Sequence, residues 1–270
     1  MRRAGRPEGF LAGLSCQAIH WAARVPRPAP GLLRRRLYDF NRLPITPSWA
    51  DRLRHRRAAV RFLGTDRRPP SGWRRRPHTS NTGWIGFERL EPGGSSPLQS
   101  PAGPFKLYVS PHPEYLPSLI ESLWPLLADL PVTAMKVADS AAGLLRPDKL
   151  IVYSPRLEWI EDLARRLLCD SKNSTAQGVP FSAEIGGAGL LSWGVDLHGV
   201  DRHGVDRHRG ASVRSWRSWV VERIATALFE ASRQPRHRGP PGLSVRRALE
   251  PEGVDIDRWQ PLARLWRPPE

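Results

Sequence analysis

The pattern of apolar and polar positions after residue 104 predicts a domain that mixes strands and helices. Three short apolar runs predict strands, 105–110, 132–137 and 149–153, and residues 138–147 between the last two predict a loop. Three segments with apolar residues three and four positions apart predict helices: 116–127, 156–168 and 213–231. Residues 178–195 predict two strands joined by a glycine turn. Because no regular βαβ repeat is present, the pattern favours an α+β fold.

The first hundred residues predict short helices separated by proline. Residues 32–40 and 49–62 have helical spacing, whereas Arg74, Arg75 and Arg76 follow two prolines and a glycine in a segment typical of a loop. Residues 83–90 (GWIGFERL) have the aromatic and β-branched content of a strand.

Composition divides the chain into five parts. The expected architecture is a mixed or antiparallel sheet flanked by helices, preceded by a mostly helical basic region. The segment 93–104 is rich in Gly, Ser and Pro, which is typical of a linker. The predicted parts are a basic region (1–92), the linker (93–104), an α+β core (105–197), a His-rich repeat loop (198–210) and a C-terminal helical region packed on the core (211–270).

The formal net charge of +16 is unevenly distributed along the chain. Residues 1–100 carry 20 arginines and six acidic residues, whereas residues 101–197 carry eight basic and 11 acidic residues. Only four lysines occur among the 42 basic residues: Lys106, Lys136, Lys149 and Lys172. An arginine preference of this size weakens net charge as evidence for a polyanion partner. Each lysine becomes a candidate for proton chemistry, which arginine cannot perform.

Cysteine content and hydropathy exclude several classes of protein. Cys16 and Cys169 cannot form a disulfide framework, and no CxxC motif indicates structural zinc. No apolar run reaches the roughly 20 residues of a membrane-spanning helix, and the N-terminal segment is a poor signal peptide. We therefore expect a cytoplasmic protein without a membrane partner.

Common catalytic motifs are absent from the sequence. There is no P-loop, GxGxxG or HExxH motif, and the residues around Ser192 lack the spacing of a nucleophile elbow. The tandem repeat HGVDR at 198–207 places histidines five residues apart, a spacing that separates them on either a helix or a strand. The repeat is interpreted as an exposed insertion, and no metal or cofactor is predicted.

One group of residues suggests phosphate chemistry. Lys106 and Tyr108 would share a strand face, Lys136 lies in the next predicted strand, and Arg146 precedes the strand that contains Tyr153. Clustered cations bind a phosphate dianion and lower the pKa of the most buried lysine, which then serves as a general base. The same cations could instead shield sheet edges.

These segments, in this order, resemble the motifs of the phosphothreonine lyase superfamily. The matching residues are 105–110 (FKLYVS), 135–137 (MKV) and 146–153 (RPDKLIVY), and the resemblance spans about residues 105–196. The superfamily includes bacterial effector lyases, the lyase domains of class III and IV lanthipeptide synthetases and stand-alone lyases of other peptide pathways. It implies metal-free β-elimination of phosphate from phosphoserine or phosphothreonine, which leaves a dehydroamino acid.

The resemblance also implies a role for each matched residue. Lys136 would abstract the α-proton, Lys106 and Arg146 would hold the phosphate, and Tyr153 would donate from its hydroxyl. The effector enzymes carry a histidine acid two residues after the first lysine, where this chain has Tyr108. Tyr108 either donates the proton or positions the phosphate, and His112 is the alternative acid.

The sequence therefore supports a lyase that acts on a phosphorylated ribosomal peptide precursor, alongside a kinase and other modifying proteins. The arginine-rich first hundred residues would then recognise the peptide or remain a solvated surface. Two alternatives stay open: a non-catalytic basic protein that binds nucleic acid or peptide, and an inactive lyase-like partner in a biosynthetic complex.

Overall fold

The structure is a computed structural model that describes residues 9–26, 28–77, 83–90, 103–170, 175–197, 214–233 and 239–265. These segments contain nine α-helices: α1 (Phe10–Ala23), α2 (Pro30–Asp39), α3 (Pro47–Arg52), α4 (Arg56–Phe62), α5 (Leu116–Asp129), α6 (Ala141–Leu144), α7 (Leu157–Asp170), α8 (Trp216–Arg233) and α9 (Pro241–Leu249). They also contain nine strands: β1 (Trp73–Arg75), β2 (Trp84–Arg89), β3 (Phe105–Val109), β4 (Ala134–Ala138), β5 (Leu150–Ser154), β6 (Ala183–Ile185), β7 (Leu191–Val195), β8 (Val254–Asp255) and β9 (Gln260–Pro261).

Seven strands form one sheet in the order β1-β2-β4-β5-β3-β7-β6, and β8 pairs with β9 separately. The pairs β1–β2, β2–β4, β4–β5 and β5–β3 are all antiparallel. The predicted α+β class with a mixed or antiparallel sheet flanked by helices is confirmed.

The central strands have two chemically different faces because their side chains alternate. One face is apolar and buried, with Ile85, Phe87, Met135, Val137 and Val152 each at most 1% exposed. Burying a side chain of this size contributes about 1.5–3 kcal/mol. Helix α7 lies against β3 and β5, and α5 packs on α7. We call this apolar side the core face and the opposite side the site face.

The chain divides into two compact units. One comprises Met1–Phe40, Pro180–Glu184 and Gly194–Glu270, and its described helices α1, α2, α8 and α9 pack on one another. The other comprises Asn41–Val179 and Ile185–Trp193, and it contains β1 to β5 and all of the candidate site residues. These limits differ from the predicted boundaries, which follow composition, because strands on both sides of residues 93–104 pair in one sheet.

Most predicted elements occur within two or three residues of their expected limits, and three predictions are wrong in detail. Residues 49–62 form two helices, α3 and α4, because the helix is interrupted at residues 53–55 and the His55 side chain caps the second helix. Arg74 and Arg75 lie in an edge strand rather than a loop. The loop expected over 138–147 contains the short helix α6. Residues 93–102 of the predicted linker and all of the predicted repeat loop, 198–210, lie outside the described residues.

Candidate functional site

Antiparallel pairing brings the predicted site residues onto neighbouring strands. Lys136 of β4 is paired with Ile151 of β5, and Ile151 is paired with Tyr108 of β3. Two residues further along β5, Tyr153 is paired with Lys106 of β3. Side chains of directly paired residues point to the same side of a sheet. Lys106, Tyr108, Lys136 and Tyr153 therefore share the site face.

Two aromatic rings bring three cations together on this face. The Lys136 Nζ lies 4.6 Å from the centre of the Trp84 ring and 5.4 Å from that of Tyr153. The Lys106 Nζ lies 5.2 Å from the Tyr153 ring, and the Arg146 Cζ lies 5.7 Å from the Trp84 ring. Each distance is within the roughly 6 Å over which a cation is attracted to an aromatic face. The structure thus brings together the two lysines and the arginine singled out in the sequence.

Arg146 is oriented by a two-point ion pair with Asp148. Its Nε donates to Oδ1 at 2.9 Å, and its Nη2 donates to Oδ2 at 2.8 Å. The Asp148 side chain is 4% exposed and the Arg146 side chain is 24% exposed. A bidentate pair of this kind fixes the plane of the guanidinium. The short spacing R-P-D therefore lets Asp148 orient the Arg146 guanidinium beside the Trp84 ring.

Tyr108 belongs to the floor of the site. It is 2% exposed and packs with Ile151 and Val179, and Trp84 and Tyr153 lie against this apolar group. Its phenol is therefore fixed beside the rings that contact the lysines. Tyr108, not His112, is the candidate acid that shares the row with Lys136.

His112 follows the end of β3 and caps the 3-10 helix Pro113–Tyr115. Its Nδ1 lies 4.0 Å from a carboxylate oxygen of Glu114, and its backbone N–H donates to the Thr175 carbonyl at 2.6 Å. His112 thus lies beyond the end of β3, outside the row of paired residues formed by Lys136, Ile151 and Tyr108. We therefore rank His112 below Tyr108 as a proton donor.

Three charged residues, Arg74 in β1, Arg76 just after it and Glu88 in β2, extend the charged surface beyond the predicted core. Glu88 is 4% exposed and accepts from the Arg74 guanidinium and from Arg76 Nε. Arg76 donates its backbone N–H to the Gly86 carbonyl, and Gly86 is paired with Lys136. A Cβ at Gly86 would lie 3.2 Å from Arg76 Cδ, so the glycine leaves room for this side chain on the site face.

Lys149 is a fully buried lysine behind the strand ends. Its Nζ donates to the Pro111 carbonyl at 2.8 Å and to the side-chain carbonyl of Gln177. Gln177 in turn donates from Nε2 to the Leu145 carbonyl. Burial lowers the pKa of Lys149 to about 7, an effect that the negative charge of Asp148 partly opposes. The lysine therefore ties the segment before β5 to the segment after β3.

Trp84 is the main site residue that the sequence argument misses. It precedes the predicted linker and reaches the site only because β2 pairs with β4. A signal for it exists, since Trp84, Gly86 and Glu88 alternate with the apolar Ile85 and Phe87. That alternation predicts that Trp84 and Glu88 share one face of β2 and Ile85 and Phe87 the other, but nothing local indicates that β4 is its neighbour.

Other chemistry is limited in the residues that the structure covers. Within those segments, no group of three or more His, Cys, Asp or Glu side chains is placed to hold a metal ion. None of the described helices has the length and hydropathy required to cross a membrane.

Comparison with known proteins gives matches among solved structures. No family model matches the chain, and no curated protein is significantly similar to it. Solved structures of phosphothreonine lyase effectors are among the structural matches. One of them, from Shigella flexneri, has 15% identity and a TM-score of 0.37, over 66% of this chain and 85% of its own.

Two bacterial effectors match nearly the whole chain. An effector protein from Pseudomonas syringae pv. tomato strain DC3000 has 14% identity and a TM-score of 0.47, and the match covers 92% of this chain and 97% of that one. An effector protein from Pseudomonas syringae pv. syringae strain 61 has 16% identity and a TM-score of 0.55, covering 94% and 98%. The fold of this chain is therefore similar to that of the strain 61 effector protein.

Proposed function

We propose that this chain is a phosphothreonine-lyase-like enzyme that removes phosphate from phosphoserine or phosphothreonine by β-elimination. One observation supports the proposal above all others: Lys106, Lys136 and Arg146 surround two neighbouring rings on one face of the sheet. A phosphorylated side chain carries a charge of about −1.5 to −2 near neutral pH. The charges of Lys106 and Arg146 together match it, and Lys136 lies beside them on the same partly buried face.

Lys136 is the proposed base. In its neutral form its Nζ takes the α-proton of the phosphorylated residue, the Cα–H electrons form the Cα=Cβ bond, and the Cβ–O bond to phosphate breaks. Positive charges from Lys106 and Arg146 disfavour a further charge on Lys136 and so favour the neutral amine. The same cations stabilise the negative charge that develops on the departing phosphate.

Tyr108 is the proposed acid for the leaving group. Phosphate expelled without a proton would leave as a trianion, and a phenol is acidic enough to protonate that species. The Tyr108 ring packs beside Tyr153 in the floor of the site, which supports this role. After each cycle the proton that Lys136 has taken returns to the phenolate through solvent, so the enzyme regains its starting state. The hydroxyl of Tyr153 is proposed to donate to a phosphate oxygen.

A ribosomal peptide precursor is the proposed substrate, and a kinase that phosphorylates it is the proposed preceding enzyme. This finer assignment rests on the motif resemblance to peptide-modifying lyases. The arginines of residues 1–100 are proposed to contact the acidic phosphopeptide or its leader. This segment carries 20 arginines and only six acidic residues, and its positive charge favours such a contact.

The test is a direct assay of elimination on synthetic peptides that contain one phosphoserine or one phosphothreonine. We expect the mass of the product to fall by one phosphoric acid, and a thiol added afterwards to trap the new alkene. Lys136→Gln is expected to lower kcat/KM by at least about 100-fold, the contribution of a general base. Arg165→Gln on α7 is the matched control, since that side chain is 71% exposed and pairs with Asp162.

Two further variants assign the acid. Tyr108→Phe is expected to slow elimination strongly, whereas His112→Gln is expected to retain most of the activity. The reverse order would transfer the acid role to His112. If the wild-type protein binds the phosphopeptide but releases no phosphate, the lyase proposal is wrong and a binding-only protein takes its place.

A further inference from the structure

One indole contacts both the proposed base and a proposed phosphate ligand. Trp84, the first residue of β2, lies 4.6 Å from Lys136 Nζ and 5.7 Å from Arg146 Cζ, measured to the ring centre. The same side chain is partly buried against Tyr108 and its apolar neighbours. The ring is therefore held by the floor of the site while it contacts two cations from different segments.

Arg146 and Lys136 are positioned by different parts of the chain. Arg146 is held by Asp148 through two hydrogen bonds, and Lys136 extends from the middle of β4. The ring of Trp84 is a contact that they share. Because Gly86 follows two residues later on the same face, β2 places no second side chain between the indole and Lys136.

The charged surroundings of Lys136 come from several elements. The cations on this face and at its end are Arg74, Arg76, Lys106, Arg146 and Lys149. Among the residues of this face that the structure describes, the carboxylates are Glu88, which Arg74 and Arg76 hold, and Asp148, which Arg146 holds. The phenols are Tyr108 and Tyr153. Both carboxylates are thus engaged by arginine, and the excess of cations disfavours the ammonium form of Lys136.

The aromatic rings act in the opposite direction. A ring face attracts a cation and does not attract a neutral amine, so Trp84 and Tyr153 both favour the ammonium form of Lys136. The Trp84 ring lies nearer to the Lys136 Nζ than the Tyr153 ring does, and an indole attracts a cation more strongly than a phenol.

We propose that Trp84 is a positioning residue for the elimination, which holds the Lys136 amine and the Arg146 guanidinium over one indole and favours the charged state of the resting base. As far as it concerns catalysis, this inference rests on the proposed lyase function. Its electrostatic part concerns Lys136 alone and is tested without substrate. Trp84 thereby couples β2, which precedes the linker, to the chemistry of β4.

The first experiment follows the four lysines by NMR after labelling the protein with 13Cε-lysine. Lys136→Gln identifies the Lys136 signal, and a pH titration gives the midpoint of each lysine. In Trp84→Leu we expect the Lys136 midpoint to move to lower pH, and in Trp84→Phe to move less, because a smaller ring remains.

The control is Trp159→Leu on α7, where the ring contacts Arg156 at 5.4 Å. It removes a tryptophan–cation contact of the same kind and is expected to leave the Lys136 midpoint unchanged. An unaltered Lys136 midpoint in folded Trp84→Leu would overturn the proposal, and so would an equal displacement of the Lys136 midpoint in Trp159→Leu.

The second experiment measures elimination as a function of pH. We expect kcat of Trp84→Leu to fall on the order of tenfold at the plateau, and its acidic limb to move in the same direction as the NMR midpoint. Trp84→Phe is expected to recover most of the loss. If the wild-type protein eliminates no phosphate, the proposed function fails, whereas the NMR titration still decides the electrostatic role of Trp84.

Discussion

Replacing Lys149 by methionine should change how the stability of this protein depends on pH. Lys149 is fully buried, and burial lowers its pKa from 10.5 to about 7. In the unfolded chain the same amine has its ordinary pKa and binds a proton more tightly. Between these two values the unfolded state therefore carries more protons, and the free energy of unfolding rises with pH.

The magnitude follows from the size of this difference. Each pKa unit corresponds to about 1.4 kcal/mol. At low pH, where Lys149 is protonated in both the folded and the unfolded state, its buried charge therefore destabilises the folded state by about 5 kcal/mol. Over the narrower window from about pH 7 to about pH 9, its contribution to the free energy of unfolding should grow by about 2 kcal/mol. Methionine has similar length and no titrating group. The change also removes the donor to Pro111 and Gln177, which is a cost that does not vary with pH.

The assay is urea unfolding followed by tryptophan fluorescence, performed on both proteins across this pH window. We expect the difference in unfolding free energy, wild type minus Lys149→Met, to rise by about 2 kcal/mol from the lower to the higher pH. Taking the difference removes the titration of groups that both proteins share. A difference that stays constant with pH would refute the reasoning, because Lys149 would then keep the same charge throughout the window.

Three further outcomes are expected. Asp148→Asn should lower kcat/KM by about tenfold or more, because the Arg146 guanidinium loses its charged two-point contact; steady-state kinetics with a phosphopeptide measure it, and unchanged kinetics would remove Asp148 from the site. Tyr153→Phe should weaken phosphate binding while Tyr153→Leu loses more, and titration with inorganic phosphate compares them; equal losses would assign the whole effect to the hydroxyl and none to the ring. Gly194→Ala should destabilise the protein by about 1–3 kcal/mol, since its Cβ would lie 2.7 Å from Trp216; an unchanged urea midpoint would contradict this.

The sequence predicts the part of the site that depends on local pattern. Lys106 and Tyr108 share a face because strands have a period of two, and R-P-D places Asp148 beside Arg146 within three residues. The convergence of Lys136 with them required only that three consecutive predicted strands be neighbours, and the observed order β4-β5-β3 satisfies this condition.

The remainder depends on contacts between distant segments. Trp84 reaches Lys136 through the pairing of β2 with β4, and no feature of residues 83–90 specifies that partner. Arg74 and Arg75 are loop-like by composition, yet pairing with β2 places them in an edge strand. Lys149 is buried partly by Gln177, which follows it by 28 residues. Burial of that kind is a property of the assembled fold.

The alternation of the two faces has a consequence for how the sequence tolerates change. Along β4, Met135 and Val137 point into the core face, and Lys136 between them points to the site face. Substitutions at successive positions should therefore produce defects of different kinds. A saturation mutagenesis screen that scores protein abundance and product formation separately should show effects that alternate with a period of two residues along this strand. Abundance would fall at one set of alternate positions, while turnover alone would fall at Lys136.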